Sequence, residues 1–368
     1  VWSCSSVEYL QGEVTMTSSV QKAEVKFKFA WMFGRTNDIL FYFAPIVLAL
    51  AVYYALESNL VAAGLMTVIA ANGLGLNQLH LGPSWYFYFD KNNQEHWLSD
   101  KKRAFMFYVV PIIILLVCTV MGVYQPGLLF LLTTLWGMQH FIQQNFGILA
   151  LYHNHNCGEA VVSRELQQRS LWASSLFFCS FYFERLMLKG QHATAFLIVV
   201  SVLALAAIFY CGLYLRSLRQ QVKDGAALNV PALLFWFVSV IYFSPFAFAK
   251  YNEMTAFLIP GVMHWSQYMF LNYMLAKYKY EGERAKLMPL HPLLLFALLA
   301  AFLFVFSFFL YSVKLSGHYV QPLVGFLFGL SNVHYFQDAF LWRFREEFQR
   351  QSILPYIKRA RLIESGKP

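Results

Sequence analysis

The chain has 368 residues, 58% of them hydrophobic and only 13% charged, with a mean hydropathy of +0.48. A soluble domain carries about 25% charged residues, so this chain lacks the charge to cover a water-facing surface. The net charge of +9 comes from Lys and Arg flanking apolar runs, a pattern of membrane topology that points away from nucleic acid as a partner.

Residues 1–36 are mixed polar with no leading apolar core, so no signal peptide is expected and the segment reads as cytoplasmic. The chain begins with Val1, and Met16 reads as a native start, so residues 1–15 are set aside from fold reasoning. Ten apolar runs follow, at about 38–56, 59–87, 104–124, 126–151, 170–188, 192–215, 229–249, 252–276, 292–313 and 320–342. Each is near or above the roughly 20 residues that cross a hydrocarbon core as a helix. The longer second, fourth and eighth runs can tilt.

The basic residues test this map. If the runs alternate across the membrane, 24 of the 28 Lys and Arg residues fall on one side, which the positive-inside rule makes cytoplasmic. Only Arg185, Lys189, Lys250 and Lys314 fall on the other. The expected fold is an all-α polytopic membrane bundle of about ten transmembrane helices, N-in and C-in. The bundle occupies 37–342, and a basic cytoplasmic tail follows at 343–368, beginning as a charged helical extension of the tenth span. Gly325 and Gly329 sit four apart in that span, a spacing that lets helices approach closely within the bundle.

The five cysteines, Cys4, Cys118, Cys157, Cys179 and Cys211, form no CxxC pair. Cys118, Cys179 and Cys211 lie in apolar runs and read as small core hydrophobes. P-loop, dinucleotide, GxSxG and HExxH signatures are all absent.

Four histidines carry the functional signal: His80, His140, His264 and His334, one in each of four even-numbered spans. Those spans run in the same direction, and each His lies in the middle or later part of its span, so the four imidazoles can share one layer. Three repeat a pattern of His, an aromatic, any residue, then Gln: His140/Gln143, His264/Gln267 and His334/Gln337. Residues three apart share a helix face, so each Gln is expected to tune the shell of a ligand or substrate. Asp338 follows His334 at the i+4 spacing that lets two side chains chelate one ion. A lone His inside a membrane is more often a structural hydrogen-bonding group. Four at matching depth move the balance to a shared metal site, with His80, His140, His264, His334 and Asp338 as ligands.

Lesser candidates are also assigned. His153 and His155 read as solvated loop residues, and so does His96. His192, His291 and His318 lie at span ends. Glu184 and Arg185 pair with each other or with headgroups. Asn72 and Asn77 support His80 from the second span. Trp85, Tyr86 and Tyr88 read as interfacial belt residues.

The intramembrane His80, His140, His264 and His334, with Asp338 after His334, resemble the bacterial β-carotene dioxygenase family (Brp/Blh), which places iron-binding histidines inside transmembrane helices. The family's early His-Gly-x-x-Asp sequence is absent, and this chain has more spans. Membrane fatty acid desaturases and hydroxylases are similar in class only, because their His-x-x-His-His boxes are missing. The resemblance implies non-haem iron, O₂ chemistry on a lipidic or otherwise apolar substrate, and an electron donor. The expected location is the bacterial inner (cytoplasmic) membrane. Two other classes stay open. One is a multi-pass transporter or permease using the histidines as a proton relay or substrate site. The other is a haem-binding or assembly subunit of a membrane complex.

Overall fold

The computed structural model describes residues 25–57, 79–153, 158–185, 193–248, 253–315 and 320–364. Asn72, Asn77, His155, His192, His318, Met16, Cys4 and Cys157 lie outside the described residues. The fold is mostly α-helical. A continuous helix α1 covers 35–57, with a π turn at Ile39–Phe43. It is followed by α2 (79–86), α3 (Lys91–Leu98), α4 (Lys101–Tyr124) and α5 (Pro126–His153). The chain continues through α6 (Arg164–Phe183), α7 (Ala193–Lys223), α8 (Val230–Val240) and α9 (Pro245–Phe248). Then come α10 (Glu253–Lys279), α11 (Pro292–Leu315), α12 (Val320–Leu341), α13 (Glu347–Ser352) and α14 (Leu354–Glu364).

Among the described residues, four stretches are long and apolar enough to cross a membrane: Lys101–Tyr124, Ala193–Lys223, Val230–Phe248 and Gly282–Leu310. Ala193–Lys223 is the extreme case, with only 6% of its apolar window buried. Leu197, Leu205, Ile208, Phe302, Val305 and Phe309 all stand exposed on α7 and α11. Such a surface would be intolerable in water and is ordinary against lipid. In α5, α10 and α12, inward positions are occupied by His, Gln, Asn and Asp, which lowers hydropathy exactly where burial is greatest.

Close backbone approaches set the packing around α2 and α12. A Cβ on Gly122 would lie 2.6 Å from Gly325 Cα, and one on Gly82 would lie 2.6 Å from Ala300 Cα. Gly325 and Gly329 therefore pack α12 against α4. Asn332 ties α12 to both neighbours, its Nδ2 donating to Cys118 Sγ of α4 at 3.3 Å and to Thr133 Oγ1 of α5 at 3.0 Å.

Polar ties join several helix ends. Strands β1 (Phe27–Lys28) and β2 (Leu228–Asn229) pair in parallel. Buried Asp38 accepts from Met32 N at 2.6 Å, Phe33 N at 2.9 Å and Tyr152 OH at 2.8 Å. Lys28 meets Glu159 at 3.2 Å. Asp90 caps α3 and binds Lys279 Nζ at 2.7 Å and Tyr280 OH at 2.6 Å. Asp100 caps α4, and the N–H groups of Arg103 and Lys102 hold its carboxyl below the usual carboxylate range.

Several expectations are corrected. The stretch Val230–Phe248, long and apolar enough for the span expected at 229–249, is not one unbroken helix: residues 241–244 form a turn, and Pro245, which lacks an N–H, opens α9. The tail does not extend α12. The helix stops at Leu341, turns through 342–346, and α13–α14 fold back so that Ile353, Ile357 and Ala360 join the main core. Tyr86 is fully buried beside Phe87, Tyr280 and Phe296, so it is a core residue and not a belt residue. Trp85 and Tyr88 are half-buried, and Tyr88 OH donates to Phe107 O at 2.8 Å. His153, expected in solvent, is buried at the end of α5.

Candidate metal centre

Each of four helices delivers one imidazole to the same interior point. His80 comes from α2, His140 from α5, His264 from α10 and His334 from α12. His264 and His334 are fully buried, His80 nearly so, and His140 is 8% exposed. Their rings form a closed circuit. The centroids of His80 and His264 are 5.0 Å apart, His264 and His140 4.8 Å, His140 and His334 5.0 Å, and His334 and His80 4.8 Å. The His264–His334 diagonal is 6.1 Å. His80 Nε2 and His264 Nε2 face each other at 3.2 Å. Asp338 Oδ2 lies 3.8 Å from His140 Nε2 and 3.7 Å from His334 Nε2.

Among the described residues, two groups could hold a metal ion: His80, His264 and His334, and His140, His334 and Asp338. Within each group the ligand atoms lie within 4.8 Å of one another. His140 Nε2, His264 Nδ1 and His334 Nε2 are buried without a hydrogen bond. Buried polar atoms are nearly always satisfied, so unbonded ring nitrogens of this cluster fit a bound cation.

Local sequence explains how His264 is aimed. Pro260 interrupts the bonding ladder of α10 one turn before His264. Tyr242, in the turn that breaks 229–249, donates to Pro260 O. Phe141 stacks on the His264 ring at 4.3 Å. The helix break at 241–244 and the site are therefore coupled through Tyr242.

A second polar layer lies one turn further along the same helices. Tyr268 OH donates to Asp338 Oδ1 at 2.8 Å and sits 3.0 Å from Ser84 Oγ, which is 2.7 Å from His334 Nδ1. Gln144 Nε2 donates to Gln267 Oε1 at 3.1 Å and to the His264 carbonyl at 3.2 Å. The residues four after the histidines are Ser84, Gln144, Tyr268 and Asp338. The i+4 spacing that singled out Asp338 would have found all of them.

The expected glutamines divide. Gln267 and Gln337 are fully buried beside the cluster residues His264 and His334. Gln143 is exposed, and Gln144 takes the inward place expected of it. On a helix, i+3 and i+4 lie about 60° and about 40° to opposite sides of residue i. On α5 the bundle interior lies on the i+4 side. Elsewhere, His96 is half-buried and stacks on Phe348 at 3.7 Å, and His291 is exposed. Arg185 donates to Ala247 O at 3.0 Å.

No protein-family model matches the chain, and neither does any curated protein or solved structure.

A groove of about 460 Å³ on the lateral surface is lined by Phe41, Met269, Phe270, Tyr273 and Lys277, among others. At 100° per residue these α10 positions lie opposite His264 and Tyr268, so the groove does not lead to the cluster.

Proposed function

We propose that the chain is a membrane-embedded metalloenzyme, a non-haem iron oxygenase or desaturase of a lipidic or otherwise apolar substrate. His80, His140, His264, His334 and Asp338 hold the metal. Gln267, Gln337 and Gln144 shape its surroundings, and an electron donor supplies reducing equivalents. The observation that carries this reading is the closed circuit of four buried imidazoles with ring centres 4.8 to 5.0 Å apart along its edges. An imidazole ligated at about 2.1 Å has its ring centre about 3.2 Å from the ion, which puts neighbouring rings about 4.6 Å apart in a square and about 5.3 Å apart in a tetrahedron. The observed edges lie between these values. Nitrogen-rich ligation with one carboxylate suits iron, and iron so held supplies O₂ activation. The protein's own part is to hold the ligands, exclude water with aromatic walls such as Phe141, Trp265 and Tyr335, and orient an apolar substrate.

The same proposal includes ten spans with both ends in the cytoplasm, in the inner membrane of a bacterium. The bundle takes 37–342, flanked by the segment 1–36 and the tail 343–368. Support comes from the polar ties. Alternation requires the start of α1, the end of α5 and the start of α8 to lie on one side, and Asp38, Tyr152, Asn229 and Glu159 join those ends. It requires the same of the end of α10 and the segment after α2, which Lys279 and Asp90 join.

A second reading, a proton-coupled permease, draws on the hydrogen-bonded run from Asp338 through Tyr268 and Ser84 to His334. A haem subunit fits less well. Axial ligation places a porphyrin between two imidazoles, whereas His80 Nε2 and His264 Nε2 face each other at 3.2 Å. Metal analysis of purified protein separates the first two readings. The metalloenzyme retains iron near one equivalent per chain and loses it in His264→Ala. The permease binds no stoichiometric metal and shows pH-driven uptake in vesicles.

A further inference from the structure

Three residues of the second polar layer, Asp338, Tyr268 and Ser84, form a directional chain with His334 of the cluster. Tyr268 OH donates to Asp338 Oδ1 at 2.8 Å. A phenol has one hydrogen, so the 3.0 Å contact between Tyr268 and Ser84 must be Ser84 donating and Tyr268 accepting. The serine's single hydrogen is then committed. Its 2.7 Å contact with His334 Nδ1 must be the ring nitrogen donating to Ser84 Oγ. The proton of a neutral His334 is thereby fixed on Nδ1, and the lone pair is left on Nε2. Nε2 is the nitrogen that makes no hydrogen bond and stands 3.7 Å from Asp338 Oδ2.

We infer that Ser84 and Tyr268 are positioning residues that set the tautomer of His334, so that its Nε2 faces the ion together with Asp338. This inference rests on the metal-centre reading. His334 and Asp338 share one turn of α12, so the chain closes on itself: the same two hydroxyls orient an imidazole and a carboxylate. Ser84 comes from α2 and Tyr268 from α10, so the relay ties three of the four site helices together. Tyr268 also packs edge-on against His334, with ring centres 4.8 Å apart at 89°. Both hydroxyl residues are almost fully buried, Ser84 at 0% and Tyr268 at 2% exposure, so water does not compete for these bonds. Partners that hold the far nitrogen of a ligating histidine are worth about 10- to 100-fold in metal affinity.

The test compares wild type, Ser84→Ala, Tyr268→Phe, the double variant and the hydroxyl-keeping Ser84→Thr, as full-length protein in lipid nanodiscs. The first readout is the imidazole ¹⁵N spectrum of metal-free protein, with His334→Gln assigning the His334 signals. Wild type and Ser84→Thr show His334 protonated at Nδ1, and Ser84→Ala and Tyr268→Phe lose that preference. The second readout is Co²⁺ titration. Each single variant binds about 10- to 100-fold more weakly than wild type, and the double variant is no weaker than the worse single, because both break one chain. Unchanged His334 shifts and unchanged Co²⁺ affinity in both single variants would overturn the inference. If wild type binds no Co²⁺, the metal-centre reading fails, while the nitrogen spectrum still decides the tautomer.

Discussion

Tyr268 and Asp338 meet at 2.8 Å, each standing one helical turn beyond a histidine of the cluster, Tyr268 after His264 and Asp338 after His334. This places a carboxylate at the edge of the imidazole circuit with one oxygen bound to Tyr268 and the other 3.7 to 3.8 Å from two histidines. Asp338→Asn keeps the shape and removes the charge. The expected outcome is loss of metal of at least tenfold in affinity, with helical content unchanged, measured by metal titration beside circular dichroism. Retention of wild-type affinity would remove Asp338 from the ligand set.

The two neighbouring glutamines of α5 make opposite predictions. Gln144 binds Gln267 and the His264 carbonyl, whereas Gln143 is exposed. Gln144→Leu is expected to leave Gln267 Oε1 without its partner, costing about 1–3 kcal/mol of stability and lowering metal retention. Gln143→Leu is expected to change neither. Thermal unfolding and metal-to-protein ratios on the pair check this.

Glycine packing near His80 gives a steric test. A methyl at Gly82 would stand 2.6 Å from Ala300 Cα, two residues beyond His80. Gly82→Ala is expected to cost about 1–3 kcal/mol and to shift His80 out of the cluster, weakening metal binding. Gly127→Ala meets nothing within 4 Å and serves as the neutral control. Melting temperature and metal content read both effects.

The Asp90–Lys279 pair is buried, with Lys279 Nζ 2.7 Å from Asp90 Oδ2. Removing one partner strands a buried charge. Lys279→Met alone is expected to cost about 3–5 kcal/mol, and Asp90→Asn with Lys279→Met is expected to recover most of it. Unfolding of the two variants in one detergent checks this.

The sequence carried much of the site because its chemistry is periodic. The four histidines and Asp338 stand out against apolar surroundings, and Gly325 and Gly329 mark a close helix contact that α4 and α12 make. What was missed depends on packing direction. Gln143 and Gln144 both lie near the His140 face by spacing, and only the position of α10 selects Gln144. Tyr268 and Ser84 look like ordinary interior hydroxyls until three helices bring them together. Tyr86 has the composition of a belt residue, and its burial comes from Tyr280 and Phe296, far away in sequence. The break at 241–244 has Pro245 as its signal, but its consequence for His264 passes through Tyr242 and cannot be read locally.

The most direct test is metal stoichiometry on protein produced with iron supplied and purified in mild detergent. Wild type is expected to hold close to one iron per chain through dialysis, and His80→Ala, His264→Ala and His334→Ala each to hold little, while remaining folded by circular dichroism. A folded wild-type protein that takes up no transition metal, or single histidine variants that bind it as tightly as wild type, would contradict the account.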